Sequence, residues 1–289
     1  MWKQGRFGPS GKLFGILHAP SSCSLSSPFV LFLPGFGQPS TEKNYLFTRL
    51  RHLLASKGCR CMQFDYYGHG DSNGDLSEVS LSSLVSDTIH IISEMVVQNP
   101  PSTIFLVGNG LGAIVGIQAI QSLNGHFPSE QAQHIIINPP LQPLREVFSN
   151  QDLQKLYTFK GNVIPCTDLV GGKNYYTLDD VPIDRLQYIM QLGSHITNLH
   201  GQAVSMQLLQ ELESLDTIQL IRSVQQHVHI LLGDLHPFLD KLNCVPNARL
   251  YTLSKVQYYF QSPQAQDELI NTVEKIVGQT LRDREVKQW

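Results

Sequence analysis

The chain has 289 residues, 42% of them hydrophobic, and a formal net charge of −3. This length and composition predict one large α/β domain or two small ones with a sizeable buried core. Acidic and basic residues are mixed along the chain without a lysine- or arginine-rich block, which argues against a nucleic-acid-binding surface. No stretch of about 20 apolar residues is present, so no transmembrane segment is predicted.

The opening residues, MWKQGRFGPSGKLFG, contain no apolar run of signal-peptide length. We therefore expect a cytoplasmic protein. The cysteines are irregularly spaced, which predicts free buried thiols in a reducing compartment. They are Cys23, Cys59, Cys61, Cys166 and Cys244. No zinc-binding pattern is present, and we expect neither a metal nor a cofactor.

In chain order, the first predicted element is an antiparallel hairpin, with strands at 3–6 and 12–18 around a Gly-Pro-Ser-Gly turn. Short apolar runs then alternate with longer helical patterns, which is typical of a parallel sheet covered by helices. The apolar runs lie at 29–33, 61–66, 103–107, 134–137, 228–232 and 249–253. The helical patterns lie at 45–57, 80–97, 111–122 and 264–280.

Residues 141–226 interrupt this alternation. They contain amphipathic stretches at 185–190 and 204–212 and a loop rich in Gly, Tyr and Asp between 168 and 182. We expect this segment to form a helical cap over the carboxyl edge of the sheet, where ligands bind in such folds. The core would then comprise residues 1–140 and 227–289.

Four ordered motifs carry the functional information. They are LFLPGFGQ (31–38), QFDYYGHGDSNGD (63–75), TIFLVGNGLGAIVG (103–116) and LLGDLHPF (231–238). Together they resemble the α/β-hydrolase superfamily over nearly the whole chain. The resemblance implies a mostly parallel sheet with helices on both faces and an inserted helical cap. A narrower resemblance is to the second type of exosortase-A-system-associated hydrolase, which has a related glycine-rich loop and an elbow without serine.

The third motif has the pattern of a nucleophile elbow, G-x-S-x-G, with Gly110 in place of the serine. The resemblance places the triad acid at His236 and the base at Tyr258 or Gln257. In the superfamily the histidine comes last in the chain, yet no histidine follows His236. Loss of all three groups argues against a conventional serine hydrolase, and no catalytic residue is assigned.

The backbone parts of the site are expected to remain. The N–H groups of Phe36 and Leu111 would point into the former oxyanion hole, at the positive end of the helix that begins near Leu111. We expect the missing serine side chain to enlarge the cavity above Gly110. The further ligand-binding candidates are Gly37, His69, Asn109, His236 and Tyr258.

For the other polar residues near these motifs we favour structural roles. Asp65, Asp71 and Ser72 are interpreted as loop anchors and Cys166 as a core residue. Asp234, without a base to orient, is also interpreted as structural. The pairs 175–176 and 258–259, all tyrosines, would form the floor of an aromatic pocket or belong to an ordinary core.

These observations favour a hydrolase-like protein without hydrolase chemistry. It would bind a small acyl or carbonyl ligand, or act as an accessory subunit that contacts a partner or a second copy through the cap. The alternative is an enzyme with a changed mechanism, which uses the oxyanion hole for a cyclisation, a lyase step or an acyl transfer. A third interpretation is an esterase with unrecognised catalytic residues.

Overall fold

A computed structural model describes residues 2–20, 26–96, 100–123, 131–159, 161–171, 181–225, 227–242, 245–246 and 248–287, with side chains to residue 282. The predictions for Cys23, Cys244, Tyr175 and Tyr176 lie outside these residues. Among the described helices, none combines the length and apolar composition needed to cross a bilayer.

Ten strands are present among these residues. They are β1 (Trp2–Phe7), β2 (Leu13–His18), β3 (Phe29–Leu33), β4 (Arg60–Phe64), β5 (Ile104–Asn109), β6 (Ala132–Ile137), β7 (Val163–Pro165), β8 (Ala203–Ser205), β9 (Val228–Gly233) and β10 (Ala248–Leu253). Eight of them form one sheet in the order β1-β2-β4-β3-β5-β6-β9-β10. The β1–β2 and β2–β4 pairs are antiparallel and the other neighbours are parallel. The predicted N-terminal hairpin and parallel sheet are confirmed.

The helices are α1 (Leu46–Ser56), α2 (Leu81–Val96), α3 (Leu111–Ser122), α4 (Leu144–Val147), α5 (Asn150–Tyr157), α6 (Cys166–Val170), α7 (Ile183–Gln191), α8 (Met206–Glu213), α9 (Thr217–Arg222) and α10 (Pro263–Lys287). Leucines of α2 and α3 share one hydrophobic cluster, and those of α1 and α10 share another. Helices therefore cover both faces of the sheet, as predicted.

The burial of the strands explains their sequence patterns. Every residue of β3, β5 and β6 is buried. Strands buried on both faces have continuous apolar runs without alternation, as in FVLFL of β3 and IFLV of β5. In β6 the apolar run is limited to Ile135–Ile137, because Gln133 and His134 are buried polar residues. Strand β10 forms the edge of the sheet, and most of its residues are partly exposed. Its mixed sequence, ARLYTL, follows from that position.

The β6–β9 segment (residues 138–227) connects two neighbouring strands and contains α4 to α9 together with β7 and β8. Strands β7 and β8 pair only with each other, as a separate antiparallel sheet. Phe148, Leu192 and Leu208 of this segment share a hydrophobic cluster with Phe36, which lies in the loop after β3. The segment is thus packed against the carboxyl end of the parallel strands.

Candidate functional site

The turn between β5 and α3 has the geometry of a nucleophile elbow. Strand β5 ends at Asn109, Gly110 has φ 54° and ψ −121°, and α3 begins at Leu111. The Gly110 N–H donates to the carbonyl of Ile137, at 2.9 Å. Side chains are strained at positive φ, whereas glycine adopts it freely, so the turn keeps its shape without a serine.

Two backbone N–H groups converge beside this turn. The Phe36 N–H and the Leu111 N–H donate to the same oxygen, the carbonyl oxygen of Leu192, at 2.9 and 3.0 Å. Two main-chain donors directed at one carbonyl oxygen are the arrangement of an oxyanion hole. The residues that the sequence motifs selected for this role are therefore brought together, and the oxygen that they bind belongs to the chain itself.

Residues 192–194 fill the site, and we call them the plug. Leu192 directly follows α7, so its carbonyl lacks a partner within the helix, while the Leu111 N–H lacks one at the start of α3. The hydrogen bond between them satisfies both groups. It also brings the negative end of one helix to the positive end of the other, which is favourable.

The plug overturns the expectation of an enlarged cavity above Gly110. A Cβ atom at Gly110 would collide with the main chain of Leu192 and Gly193. Gly193, with φ 84°, approaches the chain so closely that its own Cβ would lie 2.7 Å from the Cα of Gly35. The space left by the missing serine is occupied by main-chain atoms, and a ligand needs the plug to move.

Lys43, which the sequence analysis missed, holds the plug from the other side. Its ammonium donates to the carbonyl oxygens of Gly193 and Ser194, at 2.7 and 2.8 Å, and lies 4.5 Å from the ring centre of Phe260. Burial lowers the Lys43 pKa to about 8, against the opposing effect of the Glu42 carboxylate. The loop after β3 has no sequence signature that singles out this lysine.

The loop that carries Lys43 is strained. Glu42, Asn44 and Tyr45 have φ values of 58°, 53° and 56°. Each such residue costs on the order of 1–3 kcal/mol, and strain of this kind clusters at functional sites. The Glu42 carboxylate fixes the loop, because it accepts from the Gly35 N–H at 2.8 Å and from the Tyr259 hydroxyl at 3.4 Å.

His69 and Gly37 bind each other instead of facing the plug. The Nε2 of His69 accepts from the Gly37 N–H at 3.0 Å, so Nδ1 carries the proton and donates to the Tyr67 carbonyl at 3.2 Å. Burial lowers the His69 pKa to about 4, which keeps the ring neutral. Both ring nitrogens form hydrogen bonds within the protein, so His69 positions the loop after β3. The ligand contact that the sequence analysis expected of His69 is therefore absent among the described residues.

The remaining residues of the 63–75 motif have anchoring contacts. The Asp65 carboxylate accepts from the backbone N–H groups of Ser40 and Asp71, at 2.5 and 2.9 Å. The Ser72 hydroxyl accepts from the Phe14 N–H at 2.8 Å and donates to the Asp65 carbonyl at 2.6 Å. Because the Ser72 hydroxyl both donates and accepts a hydrogen bond within the protein, its role is to anchor the loop.

Cys166 is buried, and burial raises the pKa of its thiol to about 12, so it stays protonated and unreactive. Cys59 and Cys61 are also buried, and neither forms a disulfide among the described residues. Among the described residues, no cluster of histidine, cysteine, aspartate or glutamate side chains is placed to bind a metal ion.

His236 and Tyr258 lie side by side in the loops after β9 and β10. Their rings make an edge contact with centres 5.7 Å apart, and both are buried. The Nδ1 of His236 accepts from the Phe238 N–H at 3.3 Å, so the neutral ring carries its proton on Nε2. Burial lowers the His236 pKa to about 4. Asp234 is exposed and accepts from the Val256 N–H at 3.3 Å.

Several buried polar side-chain atoms at this end of the sheet have no hydrogen-bond partner among the described residues. They are Gln38 Nε2, Asn109 Oδ1, Asn138 Oδ1, Ser194 Oγ, His236 Nε2 and the Tyr258 hydroxyl. A buried polar group without a partner costs about 1–3 kcal/mol. All except Ser194 lie at or just after the carboxyl end of a parallel strand, which is the edge where ligands bind in open α/β sheets.

An apolar cavity of about 20 Å³ adjoins the backbone pair. Its lining is hydrophobic and includes Phe36, Phe148, Tyr188, Leu192 and Leu208. A volume of this size holds roughly one water molecule, and an apolar lining gives that water nothing to bind. The cavity is therefore almost filled by the chain, with Leu192 between it and the two N–H groups.

The sheet order, the elbow turn and the converging N–H groups define an α/β-hydrolase fold. The model of one family within it, described as serine aminopeptidase S33, matches residues 27–187, which is more than half of the chain. The protein belongs to this family. The residue in the elbow turn of this chain is glycine, at Gly110.

The curated relatives include the lysophosphatidylserine lipase ABHD12 of several vertebrates. The Danio rerio protein is 23% identical over 236 residues, which are 77% of this chain and 57% of the relative. The Bos taurus protein is 26% identical over 165 residues, which are 57% of this chain and 37% of the relative. The chain spans from about a third to just over half of the length of the curated relatives it matches.

Solved structures support the fold. A putative hydrolase from Agrobacterium vitis S4 has a TM-score of 0.65 at 16% identity, with 95% of this chain and 98% of that chain covered. The α/β hydrolase GrgF from Penicillium sp. sh18 has a TM-score of 0.64 at 17% identity, with 98% and 97% covered. At these identities the similarity shows the fold alone.

Proposed function

We propose that the protein is a hydrolase-like binder that has lost the serine triad and holds a small acyl or carbonyl ligand without cleaving it. The observation that carries this proposal is the occupation of the elbow by main chain. Gly110 offers no nucleophile, and the oxyanion pair of Phe36 and Leu111 binds the Leu192 carbonyl. At the elbow itself, Gly110 has no hydroxyl that could attack a carbonyl bound by that pair.

The side chains at the other triad positions support the same conclusion. His236 replaces a carboxylate and Tyr258 replaces an imidazole, so neither gives the pairing in which an acid orients a base. Without these groups, a serine or a water molecule would lack the proton acceptor that activates it as a nucleophile. The proposal includes the narrower resemblance to serine-free exosortase-associated hydrolases. It also includes the role of residues 141–226 as a cap over the site.

The proposal is tested with purified protein and two probes. We expect no hydrolysis of p-nitrophenyl butyrate above the buffer rate and no labelling by a fluorophosphonate. The matched control is Ser194→Ala, because Ser194 is a buried plug serine whose hydroxyl has no partner among the described residues. Stoichiometric labelling of the parent that disappears in Ser194→Ala would overturn the proposal and identify a displaced nucleophile.

One observation favours the alternative, an enzyme with an altered mechanism. The rings of His236 and Tyr258 are in edge contact, and neither the Nε2 proton of the neutral His236 ring nor the Tyr258 hydroxyl has a partner among the described residues. Two such groups at the ligand-binding edge can exchange a proton with a ligand. If a compound is converted by the parent, a loss of rate in both His236→Gln and Tyr258→Phe would support this function.

The accessory-subunit form of the proposal needs an exposed apolar surface. Within the described part of the β6–β9 segment, Ile183, at the start of α7, is the large hydrophobic side chain that is exposed, at 72%. A partner or a second copy would dock there. Ile183→Glu should then abolish co-elution of the protein with that partner or copy on a sizing column. The buried cysteines Cys59, Cys61 and Cys166 form no disulfide among the described residues, which supports a reducing, cytoplasmic location.

A further inference from the structure

We propose that the site binds N-acylglycines, and that residues Leu192 and Gly193 of the plug occupy the place of such a ligand. The inference rests on the proposed function, since it names the class of acyl ligand for the same site. A Leu-Gly unit contains a 4-methylpentanoyl group in amide linkage to glycine. The free compound with the same groups is N-(4-methylpentanoyl)glycine.

The first group of the ligand is the acyl carbonyl. Leu192 shows how an amide carbonyl fits the N–H groups of Phe36 and Leu111. The two N···O distances, 2.9 and 3.0 Å, are near the optimum for a hydrogen bond. The ligand's amide carbonyl is chemically the same group. It would accept from Phe36 and Leu111 once the plug has moved.

The second group is the aliphatic chain. The Leu192 side chain lines the apolar cavity together with Phe148 and Leu208, and the cavity has about 20 Å³ to spare. A branched chain of the size of the leucine side chain fills the vacated volume without polar atoms. Transfer of each methylene from water to such surroundings is favourable, so the aliphatic chain adds to the affinity of the ligand.

The third group is the carboxylate. The Gly193 carbonyl accepts from the Lys43 ammonium at 2.7 Å, and in an N-acylglycine the corresponding oxygen belongs to a carboxylate. A charge-assisted hydrogen bond is about twice as strong as a neutral one. The described ion pairs do not include Lys43, so its ammonium has no carboxylate partner among them. The free ligand therefore has one advantage over the plug.

Two features indicate that the closed arrangement is not fully satisfied. Ser194 is completely buried and its hydroxyl has no partner among the described residues, so movement of the plug into solvent relieves that cost. The Asn109 amide oxygen, which lies next to the elbow and is also unpartnered, remains available to a ligand. The ligand competes with the plug, so its apparent affinity is its intrinsic affinity multiplied by the fraction of molecules in which the plug has moved out.

The experiment measures binding of N-(4-methylpentanoyl)glycine to the whole protein by calorimetry. Its matched ligand is N-(4-methylpentanoyl)glycinamide, which lacks the charge. We expect the acid to bind the parent about 10-fold more tightly than the amide, and Lys43→Met to abolish that preference. Mass spectrometry of the recovered ligand separates the two proposals, because a cleaved ligand would contradict non-hydrolytic binding while leaving the site assignment intact.

Two glycine variants test the competition. In Gly193→Ala the new methyl group would meet Gly35, which pushes the plug outward, and we expect acid binding to tighten about 10-fold. Gly201→Ala is the control, because Gly201 also has a positive φ, 71°, but nothing lies within 4 Å of its Cβ position. We expect Gly201→Ala to bind like the parent.

Hydrogen exchange of the parent keeps the proposal testable if Gly193→Ala does not fold. Bound ligand should speed exchange at the N–H groups of Gly193 and Ser194, which donate to carbonyls of α7 in the closed form. The proposal is overturned if neither the parent nor Gly193→Ala binds the acid at 10 mM, or, where that variant is unfolded, if ligand leaves exchange at the plug unchanged. Equal binding of acid and amide by the parent would overturn the assigned role of Lys43.

Discussion

The site has a main-chain half, the N–H groups of Phe36, Gly110 and Leu111, and a side-chain half, His236 and Tyr258. The two halves differ in how many of their polar groups have hydrogen-bond partners. At the elbow, the N–H groups of Phe36, Gly110 and Leu111 all have carbonyl partners. Across the site, the His236 Nε2 proton and the Tyr258 hydroxyl have none among the described residues. The fold needs its strand–turn–helix connection whatever the chemistry, whereas only a ligand or a reaction needs the side chains. The main-chain arrangement of the elbow therefore does not depend on the side chains across the site.

The largest effect is expected from a side chain at the main-chain half. Gly110→Ser should lower the free energy of unfolding by about 3 kcal/mol or more, because the new side chain is strained by a positive φ and collides with the plug. Gly161→Ser is the control, since Gly161 has φ 96° with open space around its Cβ position. It should cost only about 1 kcal/mol in a urea melt.

Equal losses in the two serine variants would show that the plug moves aside at no cost. The comparison between the two halves would then fail, because the main-chain half would be as loosely satisfied as the side-chain half. In that case Gly110→Ser should also bind N-acylglycines more tightly than the parent does.

The second effect concerns acid, and it sharpens the account of the side-chain half. The His236 pKa is about 4 in the folded protein and 6.5 when unperturbed. Between these values the unfolded state binds more protons, so stability falls as the pH falls. His236→Phe should reduce the slope of unfolding free energy against pH between 4 and 6.5 by up to about 1.4 kcal/mol per pH unit. Urea melts across that range measure it.

Other buried groups contribute to the slope in both directions. His69 and His134 also have pKa values of about 4 and add to the loss of stability in acid. Burial raises the pKa of Asp87 to about 6, which has the opposite sign. These contributions cancel in the difference between parent and variant. His200→Gln, at an exposed position, is the control. An unchanged slope in His236→Phe would mean that His236 is hydrated in the folded state.

The smallest effect is expected from loss of a hydroxyl. Tyr258→Phe should change the free energy of unfolding by less than about 0.5 kcal/mol or stabilise the protein, because the buried hydroxyl that it removes has no partner among the described residues. Tyr259→Phe removes a hydroxyl that donates to Glu42 at 3.4 Å and should cost about 1 kcal/mol. If Tyr258→Phe costs as much as its neighbour, an ordered water satisfies Tyr258 and the side-chain half is not deficient.

The sequence by itself determined the sheet, the elbow turn and the glycine at its centre. Strand runs such as 103–107 are continuous and apolar because the strands are buried on both faces, and this pattern is visible without coordinates. The Gly108–Gly112 turn has a local glycine signature, and the absence of histidine after His236 is a plain fact of the chain. These features depend on neighbouring residues, so the sequence contains all that is needed to predict them.

Only the tertiary structure decided what occupies the site. The Leu192 carbonyl reaches Leu111 across about 80 positions of the sequence, and every residue has such a carbonyl, so no residue type marks the one that will be bound. Lys43 is equally unmarked, since its role depends on where the end of α7 lies. The sequence predicted the donors because their loop and turn have glycine signatures. It could not predict the acceptor, because main-chain atoms are the same at every position.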